Sequence, residues 1–136
     1  MTYTPTEQAN IGVIHRLFAA EAAGDWDTYL SLWAPEVVVH IGDSDFSLHD
    51  FRAVVDRFRT TFIELSHTIL DVTADGDVVT FRWRFHPVVR STGKRLDWGG
   101  CHWMRLEGGQ IVEDWNYGDT AEAQRQMSAN QGENRG

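Results

Sequence analysis

At 136 residues and 42% hydrophobic content, the chain is long enough for one domain with a core of its own and too short for two ordinary ones. A formal charge of −8 opposes the basic surface that nucleic-acid phosphates or anionic lipid would need, so neither nucleic acid nor membrane is expected as a partner. Cys101 is the sole cysteine, which excludes an intrachain disulfide and a four-cysteine metal site.

The opening residues, MTYTPTEQAN, carry neither the basic start nor the apolar run of an export signal, so a soluble cytoplasmic protein is expected. Thr4 and Glu7 read as a capping box with Pro5 in the first turn. Ile11, Ile14, Leu17, Phe18 and Glu21 then recur at helical spacing, which predicts a first helix to about Gly24. Asp25 caps a shorter second helix whose Trp26, Tyr29, Leu30 and Trp33 share one stripe before Pro35 stops it. EVVVHI follows as a β-branched strand. After the loop GDSD, Ser47 opens a third helix with Phe51, Val54, Val55, Phe58 and Phe62 on one face. From His67 the hydrophobic period changes to two. HTILDVTA, VVTFRWRFHPVV, RLDWGGCHWMRL and QIVEDWNYGD, separated by the turns DGD, STGK and EGG, predict a meander of four long strands. TAEAQRQM is a closing helix, and the polar SANQGENRG is expected to be disordered. The expectation is one α+β domain over residues 1–127, with helices on one face of the sheet, and a tail at 128–136.

With GDWDTYLSLWAPEVVVH early, STGKRL in the middle and GGQIVEDWNYGDTAEAQRQM late, this order of elements resembles the nuclear transport factor 2-like superfamily and, within it, the SnoaL-like polyketide cyclases. The likeness is most specific in the last strand, where a turn glycine, an Ile-Val-Glu-x-Trp run, an aspartate and a Gln-containing helix follow one another. It implies a cone-shaped barrel of curved, mainly antiparallel sheet, with three N-terminal-half helices packed on its concave face around an apolar cavity. It implies an intramolecular aldol-type ring closure on an aromatic polyketide-derived substrate, without metal or organic cofactor, in which the aspartate matching Asp119 is the acid/base. The short FHPVVRSTGK, with Ser91 where the family has proline, departs from the pattern and leaves the substrate open. Proteins of this fold also include hydratases, dehydratases, isomerases, epoxide hydrolases, hydroxylation partners and non-enzymatic binding or dimerisation modules, so fold alone does not choose.

The residues themselves support an acid/base reading. Asp119 follows a strand of alternating Ile111, Glu113, Trp115 and Tyr117, so its carboxylate can share their face, where desolvation would tune it for proton transfer. Asp119 can equally cap the helix behind it. Glu113 needs a partner if it points inward, and Arg105 on the neighbouring strand is the candidate. The turn decides the rest. A three-residue EGG loop puts Cys101, Trp103 and Arg105 on the face of Trp115; a two-residue Gly108-Gly109 turn puts His102 and Met104 there instead. The first is preferred because it leaves Arg105 beside Glu113. His40, ending its strand, is the second catalytic candidate. Trp83 and Phe85, in a stripe begun by Phe81, join Trp33, Phe58 and Phe62 as an aromatic wall for a flat hydrophobic substrate. No histidine spacing suggests a metal. Val112, Met104 and His102 are then expected on the outer sheet face as part of a homodimer surface.

Overall fold

The computed structural model describes residues 2–135, with side chains for residues 2–129. Helix α1 (Pro5–Ala23) starts on the expected capping box: Thr4 and Glu7 exchange backbone and side-chain hydrogen bonds, and Gly24 closes the helix in the left-handed region at φ 70°. Asp25 caps α2 (Trp26–Ser31), and Ser47 caps α3 (Leu48–Thr61). Strand β1 (Trp33–Ile41) precedes the short β2 (Ser44–Phe46), and β3 (Phe62–Ile63) follows α3. The remaining elements are β4 (His67–Asp75), β5 (Val78–Phe85), β6 (Val88–Val89), β7 (Trp98–Glu107), β8 (Gln110–Gly118) and α4 (Thr120–Arg135).

The four long strands β4, β5, β7 and β8 form the predicted antiparallel meander, and β1 joins β8 in parallel, giving the order β2-β1-β8-β7-β5-β4. The α+β reading holds, with α1 against β4 and β5 and α3 against β1. Closure into a barrel does not: the sheet is open, with β2 and β4 as its edges. Among the described residues no helix is long and apolar enough to cross a membrane.

Three local expectations need correction. Trp33 and Pro35 lie in β1 rather than at the end of the second helix, because the backbone amide of Ile111 bonds to the Leu32 carbonyl and draws the chain into the sheet. Phe62 leaves the helical stripe as the C-cap of α3 and pairs with Val89 across β3 and β6. The expected long strand VVTFRWRFHPVV breaks at His86-Pro87, since proline cannot supply a ladder donor. Of the tail expected to be disordered at 128–136, residues 128–135 lie in α4, and residue 136 falls outside the described residues.

The turn between β7 and β8 fixes which side chains face the helices. Glu107 pairs with Gln110 across a two-residue turn in which Gly108 and Gly109 take φ 57° and 79°, the left-handed conformation that type I′ hairpins require. Leu106 then pairs with Ile111 and Met104 with Asp114. Two steps on β7 therefore match three on β8, a bulge at Val112-Glu113 that reverses the side-chain parity of the rest of the strand. Inward on β7 and β8 lie His102, Met104, Leu106, Ile111, Asp114 and Asn116; outward lie Cys101, Trp103, Arg105, Glu113 and Trp115. Met104 is fully buried and Val112 is buried, so neither belongs to the exposed outer surface that the sequence suggested.

Gly100 is where β7, β8 and Trp83 come closest. A Cβ there would stand 2.4 Å from Trp83 Cζ2 and 2.5 Å from the Tyr117 carbonyl oxygen. Gly12, inside α1, has open space around it. Gly100→Ala should therefore destabilise the protein by about 1–3 kcal/mol, whereas Gly12→Ala should stabilise it by roughly 0.5–1 kcal/mol. Urea denaturation checks both, and an unchanged midpoint for Gly100→Ala would contradict the packing described.

Candidate functional site

Between α1, α2 and α3 and the inward face of the sheet lies a cavity of about 370 Å³. Of the residues the sequence nominates, Trp33, Phe58, Trp83 and Phe85 line it, and Tyr117 borders it while 57% exposed. Phe62 stands behind the wall, with its ring centroid 5.5 Å from Phe58, 6.2 Å from Phe85 and 6.0 Å from Trp98. Cys101, Trp103, Arg105, Glu113 and Trp115 are on the opposite face of the sheet, turned there by the tight hairpin and the bulge. Trp83 and Trp115 thus point away from each other, and the aromatic wall is supplied by β5 and the helices.

Asp119 is exposed and does not line the cavity. Its Oδ1 accepts from the Glu122 backbone amide at 3.1 Å and its own amide donates to the Gly99 carbonyl at 2.9 Å, the geometry of an N-cap on α4.

The acids that do face the cavity are not the nominated ones: Asp114, expected on the side opposite Glu113 toward solvent or a subunit interface, lies inward, and so does Glu21, expected only as part of the stripe of the first helix. Asp114, 1% exposed, accepts a hydrogen bond from His102 Nδ1–H at 2.7 Å. The His102 ring is stacked on Phe81, 4.9 Å between centroids and 14° between planes. A carboxylate has no proton to give, so Nδ1 carries the hydrogen and Nε2 is left for other chemistry. Across the wall, His67 Nδ1–H donates to Glu21, which is 4% exposed, and both residues line the same cavity. Burial, and then the charges of Glu21 and Asp114, push the Tyr29 phenol well above its usual range, so it stays a neutral donor in this wall. The signal for His102 was the Gly-Gly pair, one of the pairs favoured in two-residue hairpins, whereas the bulge that turns Asp114 inward has no such mark. The two side-chain polar atoms that are sealed and unpartnered among the described residues, Trp33 Nε1 and Trp83 Nε1, also belong to indoles of this cavity. Among the described residues no three His, Cys, Asp or Glu side chains are placed to hold a metal ion.

His40 lies on the outer face. Its Nδ1 bonds to Asp45 at 2.6 Å, its Nε2 to Glu113 at 2.9 Å, and its ring stacks on Trp115 at 3.7 Å. Arg105 approaches the same Glu113 at 3.8 Å. Desolvation lowers the pKa of His40, but the hydrogen bonds and charges of Asp45 and Glu113 outweigh it and leave the value raised. A raised folded pKa means stability that is fully present below the unfolded value of about 6.5 and is lost as pH rises through the folded value. His40→Asn should therefore lower the urea midpoint clearly at about pH 5.5 and less at about pH 9. An equal loss at both would assign His40 to packing on Trp115 alone.

The fold recurs in solved structures. AclR from Streptomyces galilaeus, a candidate hydroxylase, superposes with a TM-score of 0.83 at 19% identity, covering 90% of this chain and 86% of that one. A candidate SnoaL-like polyketide cyclase from Jannaschia sp. CCS1 gives 0.81 at 18% identity, covering 91% and 94%. IdmH from Streptomyces antibioticus, a candidate polyketide cyclase, gives 0.77 at 24% identity, covering 88% and 98%. At these identities the likeness establishes the fold alone. No curated protein matches the chain. The SnoaL-like domain family matches residues 14–114, and the chain belongs to that family.

Proposed function

We propose that this chain is a small cyclase-type enzyme that closes a ring on an aromatic, polyketide-derived substrate by intramolecular aldol chemistry, with His102 as the acid/base and Asp114 as its orienting carboxylate. The observation that carries this reading is the buried His102–Asp114 pair in the wall of an aromatic cavity. Asp114 holds the imidazole in one tautomer and orientation, as a carboxylate does for a catalytic histidine elsewhere. His102 Nε2 removes a proton from a carbon next to a carbonyl, the resulting nucleophile attacks a second carbonyl, and the new alkoxide takes a proton. Trp33, Trp83, Phe58 and Phe85 offer flat apolar surface to a flat substrate. Asp119, named as the acid/base by the family resemblance, is assigned here to capping α4, and a ligand-binding module remains the second reading because Asp119 bonds to the backbone of its own helix. The aromatic outer face, with Trp115 36% and Tyr117 57% exposed, supports a homodimer formed there rather than through Met104 and His102.

On a polyketide substrate that the wild type cyclises, His102→Gln and Asp114→Asn should each lower turnover by about 100-fold or more, while Asp119→Asn stays within about threefold. Loss of turnover in Asp119→Asn with retention in Asp114→Asn would overturn the assignment. Binding of aromatic ketones with no conversion would favour the module. Sedimentation at micromolar concentration should show a dimer that Trp115→Lys dissociates; a monomeric wild type would contradict the assembly.

A further inference from the structure

One buried titratable pair, Glu21 and His67, has no part in the chemistry of His102 and Asp114. Glu21 sits in the last turn of α1, where the unpaired carbonyls already make the helix end negative and where that turn holds no basic residue. A carboxylate there is disfavoured by the helix and disfavoured again by burial at 4% exposure. Burying an ion pair in place of apolar side chains gains little stability, so the pair is poorly explained as a fastening between α1 and β4.

His67 is held in a defined plane. Its ring stacks on Phe85 at 4.1 Å and 9°, and meets Trp83 edge-on at 5.0 Å. The other face of the site is arranged alike, since His102 lies 6.2 Å from the same Trp83. In both histidines Nδ1 is taken by a buried carboxylate, Nε2 makes no hydrogen bond among the described residues, and the residue lines the cavity. Two oriented imidazoles therefore serve one chamber.

We propose that Glu21 and His67 form a second proton-transfer pair of this cavity, acting on a substrate oxygen while His102 and Asp114 act on a substrate carbon. The inference rests on the acid/base reading of the cavity. Its physical reason is charge. An enolate oxygen formed by one base alone would sit, desolvated, in a chamber whose wall already carries two buried carboxylates, and an uncompensated buried charge is expensive. A proton delivered from Nε2–H of His67, which starts as the imidazolium of its ion pair with Glu21 while His102 starts neutral, removes it.

The steps balance. His102 Nε2 takes the proton from carbon, the C–H electron pair becomes the enol double bond, and the carbonyl oxygen takes the proton of His67 Nε2. When the enol carbon bonds to the second carbonyl carbon, the enol O–H proton returns to His67 as its carbonyl re-forms, and the new alkoxide takes the proton held by His102. Both pairs end as they began, and the product is an isomer of the substrate.

The test uses 2-tetralone, a flat fused-ring ketone, and follows deuterium exchange at the carbon between its ring and carbonyl by proton NMR. His67→Ala should slow exchange by about 100-fold, and added imidazole should restore roughly 10-fold of that loss while pyrrole, of the same shape without a basic nitrogen, restores none. Equal rescue by both, or exchange within about threefold of wild type, would overturn the proposal. If His67→Ala does not fold, Glu21→Gln keeps the side-chain shape and should slow exchange by about 10-fold with 2-tetralone binding unchanged; undiminished exchange there would also overturn it. Exchange lost in His102→Gln but kept in the His67 and Glu21 variants removes the second pair alone, whereas a wild type that binds 2-tetralone without exchanging it removes the acid/base reading and this inference together.

Discussion

Between Ile111 and Asp114 the last strand uses one residue more than its neighbour, and the chemistry of the interior follows from that bulge. Upstream of it Ile111 points to the core; downstream the inward positions are Asp114 and Asn116 rather than Glu113 and Trp115. The Gly108-Gly109 turn sets the matching phase on β7, so that His102 arrives opposite Asn116 and two residue pairs from Asp114, on the same face. Had the strand run without the extra residue, the carboxylate beside His102 would face the other way and an exposed tryptophan would occupy the cavity side.

The interior accepts electrostatic cost around this arrangement. Asp114 and Glu21 are both buried, each hydrogen-bonded to one imidazole, and two indole N–H groups in the same wall lack a partner among the described residues. An apolar core would be more stable in place of such groups. The remainder of the domain compensates through aromatic packing: Phe85 is fully buried and meets Phe58, His67 and Trp98 within 5.2 Å. Gly100 leaves room for the benzene edge of Trp83 to reach across β7 as far as Gly118 of β8.

Much of this was legible in the residues. Capping signals and 3.6-residue periodicity located α1, α2 and α3, and alternation located the meander and the inward stripe Phe81, Trp83 and Phe85. The family could be read from the order of motifs, and the family match over residues 14–114 agrees. What could not be read was parity. Counting by two from Ile111 gives Glu113, Trp115 and Tyr117 inward, and a one-residue bulge is invisible to such counting. The placement of Trp33 failed for a related reason: β1 is held by parallel pairing to β8, a contact between residues 33 and 111 that no local pattern announces. His40, a strand-end histidine as expected, shares the outer parity of its strand and so met Trp115 outside the cavity.

On the proposed function, ligand chemistry takes place on the His102–Asp114 side of the sheet and not on its outer face. Six tryptophans report on it directly. Trp26, Trp33, Trp83 and Trp98 line the cavity, while Trp103 and Trp115 lie on the outer face. In proton–nitrogen correlation spectra recorded as a flat aromatic ketone is added, the indole signals of the first four should move together with the ligand, and those of Trp103 and Trp115 should stay where they are. Movement of Trp103 and Trp115 with the other four unchanged would contradict the account.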